Sequence, residues 1–223
     1  MALFTNPFYF ARKELFKEIR SISGEVCGRV LDVGCGQVPY RDLFRYEEYV
    51  GLELDTPENR ERNRADIFYD GDRIPFEAES FDWVFSSQVF EHVFNPDRFL
   101  SELCRVLKPN GHLFMTVPFI WDEHEQPFDY ARYSSFGLSH VIRKNGFNVV
   151  DQKKTAGDSR VIFQMTNAYL YKVTRTKNPY LNQILCFILM APVNVLGEIS
   201  GRILPDNKDM YLDNVILARK GKE

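Results

Sequence analysis

The chain has 223 residues, 44% of them apolar, with 28 basic against 31 acidic side chains for a formal net charge of -3. That is enough to bury a full core, so one large domain with short linkers is expected over 1–223. The near balance of charge excludes a bulk field drawing the protein to nucleic acid or acidic lipid.

No nucleic-acid partner is therefore expected. Cys27, Cys35, Cys104 and Cys186 are scattered, with no CxxC pair and no histidine pattern beside them. No metal is expected on that ground, and reduced thiols in the cytoplasm are.

The opening, MALFTNPFYFARKELFKEIR, lacks the basic region, apolar stretch and cleavage site of a signal peptide. Residues 1–28 read instead as an amphipathic helix after Asn6-Pro7, with Phe10, Leu15, Phe16 and Ile19 on one side. From 29 to 154, short apolar runs alternate with helical stretches. RVLDVGC is a buried strand, PYRDLF begins a helix, YVGLELD is a second strand, RADIFYD holds a third and FDWVFSSQ a fourth. NPDRFLSELCRVLKP places Phe99, Leu100, Leu103 and Val106 on one helical face, with Asn95-Pro96 at its start. GHLFMTVPF, a helix over Ser135–Lys144 and the strand FNVVDQKK follow. This alternation predicts an α/β fold, a Rossmann-like parallel sheet with helices on both faces. Its ligands sit at the carboxyl ends of the strands, beside the first strand at the switch point.

Residues 155–209 break the rhythm and carry their own apolar run, ILCFILMAPVNVLG. Fourteen residues interrupted by Pro192 are too short to span a bilayer. One reading is a helical insertion that covers the core or a dimer face, making a homodimer. The sharper reading is a peripheral membrane contact through 184–204, from Phe187, Ile188, Leu189 and Met190 with Arg175, Lys177 and Arg202 alongside. MYLDNVILARK, within 210–223, returns to the sheet as its last strand.

The turn after the first strand holds Gly34 and Gly36, then Gln37, Val38 and Pro39. A dinucleotide site wants a third glycine, so that the helix packs close beneath a pyrophosphate. Its absence disfavours a nicotinamide or flavin and suits a nucleoside without phosphates. Gly34 and Gly36 let the backbone pass close to such a ligand, and Asp32 faces a positive group in it. Glu53, at the end of the second strand, is placed to accept from both ribose hydroxyls. Asp70, after the third strand, is placed to accept from an adenine amino group, and Gly71 leaves room for the ring.

With LDVGCG, DG..IPF, SFD.V, EHV, RVLKPNG and HEQPFDYARY in this order, Val30 to Val150 resembles the class I S-adenosylmethionine-dependent methyltransferases. The likeness is to the small bacterial branch called methyltransferase type 11. It implies a seven-stranded sheet whose last strand is antiparallel and S-adenosylmethionine as cofactor. It further implies that Asp32, Gly34 and Gly36 line the methionine portion, Glu53 the ribose and Asp70 the adenine, with Gln88 in the pocket wall. Glu53 replaces the more usual aspartate, and nearby Asp55 is an alternative for the ribose.

Methyl transfer is an in-line displacement, so the protein must chiefly align the acceptor and exclude water. An alcohol acceptor also needs a base for its proton. The segment 118–134, PFIWDEHEQPFDYARYS, follows the fifth strand and reads as the acceptor-binding lid. His124 is the candidate base, Arg132 suits an anionic acceptor, and Trp121 or Tyr130 suits stacking on a sugar or aromatic ring. Glu125 and Tyr133 complete the substrate-binding set. Equally, His124 can be a structural partner of Asp129, and Arg132 a salt-bridge anchor. Glu91 and His92 read as a helix cap that fastens the fourth strand, and His112 and His140 as structural.

The expected function is methylation of a small molecule, a glycan or a lipid-linked saccharide, in the cytoplasm and peripheral to the inner face of the membrane. The alternative is a non-catalytic protein that binds S-adenosylmethionine or a partner on the same fold. A nicotinamide oxidoreductase is disfavoured by Pro39 and by the lack of a Tyr-x-x-x-Lys pair.

Overall fold

The computed structural model describes residues 3–62 and 64–221. Residues 1–2 and 222–223, at the ends of the first and last elements assigned above, lie outside the described residues. Helix α1 (Tyr9–Ile22) precedes strands β1 (Cys27–Val33) and β2 (Arg45–Leu54), helix α2 (Pro57–Arg62), and strands β3 (Ile67–Tyr69) and β4 (Phe81–Ser87). Then follow α3 (Pro96–Val106), β5 (Leu107–Pro118), α4 (Ser135–Lys144), β6 (Phe147–Lys154), α5 (Arg160–Thr174), α6 (Pro179–Leu185), α7 (Ala191–Ile203) and β7 (Asp213–Lys220).

The strands form one seven-stranded sheet in the order β3-β2-β1-β4-β5-β7-β6. Strands β1 to β5 are parallel, with Asp32 level with Gly51 on one side and Phe85 on the other. The chain leaves β1 toward β2 and β3, and later returns to build β4 and β5 on the opposite side. That places the switch point between β1 and β4, where the carboxyl ends open a crevice. Strand β7 is antiparallel to its neighbours: the Thr155 amide donates to Asp213 at one end, and the Gly221 amide donates to Gly146 at the other.

By contacts the chain divides into two compact units. One comprises Ile19–Pro118, His124–Lys153 and the residues from Asn214 onward; the other comprises the residues up to Glu18, Phe119–Glu123 and Lys154–Asp213. In the first unit, strand periodicity sorts the core. Leu31, Val33, Val84 and Met115 face α3 and α4 through Leu100, Leu103, Leu138 and Ile142. Val30, Trp83, Phe85 and Phe114 face the other way, toward Ile19 and Ile22. Helix α3 starts where expected: Pro96 occupies its first turn, and the Asn95 side chain accepts from the Arg98 amide at 3.2 Å.

Two expectations are corrected. PYRDLF does not begin a helix; only the tight turn Arg41–Leu43 forms before β2 opens at Arg45. Tyr40 and Phe44 pack edge-on against Phe85 at 5.8 and 5.2 Å between ring centres, so tertiary packing overrides local helical pattern. The apolar run is also not broken at Pro192. One helix, 25 residues long, runs from Pro179 to Ile203. Its turn at Cys186–Met190 is a π turn, and this widened turn absorbs the proline ring and its missing N–H.

In the second unit, the polar side chains of the helices point inward. Gln164, Asn167 and Asn194 are fully buried. Gln164 Oε1 accepts from the amides of Phe10 and Ala11 at 3.0 and 3.2 Å. The Asn167 amide donates to Asn194 Oδ1 at 2.8 Å, and the Asn194 amide donates to the carbonyls of Phe4 and Asn6. The outward stripe is apolar: Ile184, Phe187, Ile188, Leu196 and Ile203 are all more than half exposed.

Candidate active site

The crevice in the first unit begins at the glycine turn. Gly34 and Gly36 both have positive φ, +74° and +51°. A Cβ on Gly34 would come within 2.3 Å of Val89 Cγ2, whereas one on Gly36 would meet nothing within 4 Å. Gly34 therefore seats the turn against the segment after β4, and Gly36 faces open space that a ligand can fill.

Glu53, nearly buried at the end of β2, ties the turn down. Its Oε2 accepts from the Gly36 amide and its Oε1 from the Leu54 amide, each at 3.0 Å. Asp55, the other candidate for the ribose, is exposed and paired with Arg60, whose Nη2 donates to it at 2.8 Å. Glu53 is thus the acid that borders the glycine turn.

Asp32 is buried and accepts a hydrogen bond from the Tyr49 hydroxyl. Burial pushes its carboxyl up to about 7; the Tyr49 bond opposes this and the charge of Glu53 adds to it. Asp70 lies exposed just after β3, where its Oδ1 accepts from the amides of Asp72 and Arg73 at 2.9 and 3.4 Å. Those bonds hold its carboxyl below the usual range. Gly71 beside it has φ +84°, and a Cβ there would press on Leu54. Gln88 is held at φ +59°, a costly conformation for a residue with a side chain. Its amide donates to the Thr116 carbonyl at 2.9 Å, and its side chain donates to Thr116 Oγ1 at 3.2 Å.

Beside this crevice stands a cluster assembled by two strand ends. The short turn Phe90–His92 after β4 supplies Glu91 and His92, and the segment after β5 supplies His124. Glu91 is fully buried, and its Oε1 lies 3.7 Å from His92 Nε2 and 3.9 Å from His124 Nε2. The outer face of each imidazole is fixed. His92 Nδ1 lies 2.9 Å from the Phe128 carbonyl, and His124 Nδ1 lies 3.3 Å from Asp129 Oδ2. Asp129 also accepts from Arg132 Nη2 at 2.5 Å and from the His124 amide at 3.0 Å. Burial works against its charge, but these donors hold its carboxyl below the usual range.

The remaining lid residues are spread over different environments. Arg132 anchors Asp129, as one of its two readings anticipated. Tyr133 is half-buried and stacks on Phe90 at 5.0 Å. Tyr130 is exposed and meets the exposed Phe94 edge-on at 5.2 Å. Glu125 is exposed, with Oε2 3.8 Å from His92 Nε2. Trp121 belongs to the second unit, where it packs near Phe8. Sequence reasoning read Glu91 and His92 as a cap; their pairing with His124 depends on β4 and β5 being adjacent, which local sequence does not show.

A sheet with its switch point between β1 and β4, an acid at the end of β2 and no phosphate-type third glycine has the layout of a Rossmann-like fold. Residues 31–115 match the methyltransferase domain family. A probable S-adenosylmethionine-dependent methyltransferase of Mycolicibacterium smegmatis is 28% identical over 65% of this chain and 61% of its own length. The sterol 24-C-methyltransferase of Schizosaccharomyces pombe is 25% identical over 56% and 40% respectively. The chain thus spans less than two thirds of the length of these curated relatives. Among solved structures, the [4+2]-cyclase SpnF matches with a TM-score of 0.60 at 18% identity, covering 96% of this chain and 84% of that one. A putative sarcosine dimethylglycine methyltransferase from Galdieria sulphuraria matches with a TM-score of 0.56 at 20% identity, covering 96% and 85%. The match over residues 31–115 and these likenesses support a methyltransferase domain of the class I S-adenosylmethionine-dependent kind. The open space at Gly36 and the Glu53 carboxylate beside it fit that cofactor.

Proposed function

We propose that this protein methylates an oxygen of a lipid or lipid-linked saccharide while resting on a membrane surface. Asp32, Gly34, Gly36, Glu53, Asp70, Gly71 and Gln88 would hold S-adenosylmethionine, which supplies an electrophilic methyl group when bound. His124, oriented through Nδ1 by Asp129, is the residue we assign to removing the acceptor's proton. Glu125, Tyr130, Arg132 and Tyr133 are assigned to the acceptor side.

The observation that carries the acceptor class is the inverted helix pattern of the second unit. A water-facing helix turns its apolar stripe inward. Here buried Asn194 and Glu198 face inward while Phe187, Ile188, Leu196 and Ile203 face out, and Arg175 and Lys177 before the helix and Arg202 in its last turn are exposed. That pattern suits a helix lying in the headgroup region with basic residues toward anionic lipid. Its length, about 37 Å at 1.5 Å per residue, would also cross a bilayer, but its polar stripe is committed to α5 through Asn194 and to α1 through Glu198. Relatives add support: one is named for sterol methylation and another for phthiotriol and phenolphthiotriol dimycocerosates. The same apolar face would serve a homodimer if the protein pairs in solution.

The test supplies tritiated S-adenosylmethionine with a total lipid extract or with an aqueous metabolite extract. Label in the organic phase is expected. Label confined to aqueous products would reject the lipid acceptor. Retained cofactor binding with no label in either phase would favour the non-catalytic alternative.

A further inference from the structure

We infer that Glu91, His92 and His124 form a binding site for one divalent transition-metal ion of the zinc class. Their ligand atoms all lie within 4.8 Å of one another. A tetrahedral ion with bonds of about 2.0–2.1 Å sets its ligands about 3.4 Å apart. The two contacts to Glu91 Oε1, at 3.7 and 3.9 Å, are therefore a few tenths of an ångström from that spacing and too long for hydrogen bonds.

The protonation of the rings points the same way. The Phe128 carbonyl can only accept, so His92 carries its proton on Nδ1. Asp129 Oδ2 and Arg132 Nη2 both lie on the Nδ1 side of His124, at 3.3 and 3.5 Å, and leave its Nε2 turned toward Glu91. The Nε2 atoms of both rings thus converge on one buried carboxylate oxygen, an arrangement that a cation between them stabilises. A carbonyl on one ligating histidine and a carboxylate on the other are the outer-shell partners that metal sites use to fix ring tautomer. Arg132 neutralises Asp129, so the cluster itself carries one negative charge toward a doubly charged ion. Glu125 lies outside the trio and is three-quarters exposed, which leaves a coordination position open.

The site stands independently of any methyl transfer; its role rests on the proposed function and refines it. With an ion bound, His124 would serve as its ligand in place of the direct base role assigned above, and the ion would supply Lewis acidity to an acceptor hydroxyl. Val89, which fills the space over Gly34, lies two residues before Glu91, so the metal site and the glycine turn share one support.

The test uses the full chain, stripped with a chelator and titrated with Co2+ and Zn2+. One Co2+ per chain is expected, with visible absorption bands of a low-coordinate ion that Zn2+ abolishes. Glu91→Gln, His92→Ala and His124→Ala should each weaken Co2+ binding by about 100-fold or more, with S-adenosylmethionine affinity and melting temperature near wild type. His140→Ala, on the exposed face of α4, should bind like wild type. Absence of Co2+ binding at millimolar concentration, or binding that these three variants leave unchanged, would overturn the site. Neither result depends on turnover, so failure of the metal site is distinguishable from failure of the methyltransferase reading.

Discussion

Replacing Gly34 by alanine tests whether the glycine turn is seated by steric fit. The residue has φ +74°, and the new Cβ would stand 2.3 Å from Val89 Cγ2 and 3.2 Å from Val89 Cγ1. The left-handed backbone costs a non-glycine residue about 1–2 kcal/mol, and overpacking adds about 1–3 kcal/mol. Gly34→Ala should therefore lose about 2–5 kcal/mol in urea unfolding followed by circular dichroism. Val89→Ala alone should cost about 1–2 kcal/mol, because it deletes two methyl groups from a half-buried site. The double variant removes the overlap but keeps the backbone strain, so it should recover about 1–3 kcal/mol against additivity. A loss below 1 kcal/mol for Gly34→Ala, or strict additivity in the double variant, would refute the seating argument.

Glu53→Ala removes the acceptor of the Gly36 and Leu54 amides; it should cost about 1–3 kcal/mol of cofactor affinity by calorimetry. Unchanged affinity would reject its assignment to the ribose. Asp32 has a folded-state pKa near 7, raised from the ordinary carboxylate value, so its stabilising contribution is full below about pH 4 and is lost as pH rises to about 7. Asp32→Asn should lack that loss, gaining up to about 4 kcal/mol on wild type between pH 4 and 8 in unfolding titrations; parallel pH profiles would contradict it. Phe187→Glu, on the exposed face before α7, should abolish co-sedimentation with anionic liposomes and leave the melting temperature unchanged. Wild-type protein that never sediments would remove the membrane contact from the account.

The sheet was legible because its strands are largely apolar runs, and α3 because Asn95-Pro96 marks its start and its apolar residues share one face. Gly36 and Glu53 were legible as neighbours since the alternation placed both at adjacent strand ends, and the structure joins them by a hydrogen bond. The turn at Arg41–Leu43 was not, because Tyr40 and Phe44 obey the packing of Phe85 and not their own helical pattern. Helix continuity through Pro192 was equally hidden: a π turn is a response of the backbone and leaves no composition signature. The Glu91, His92 and His124 cluster was invisible because His124 lies more than thirty positions after the other two and meets them only through the β4 and β5 pairing. Trp121, chosen as a stacking platform from its place after β5, is used instead by the second unit.

The central claim is that the crevice at Gly36 and Glu53 binds an adenosyl sulfonium. Calorimetric titration of the purified chain with S-adenosylmethionine, S-adenosylhomocysteine and NADH tests it most directly. The account predicts micromolar binding of both adenosyl ligands and no heat with NADH. Silence for both adenosyl ligands, or binding of NADH in their place, would contradict it.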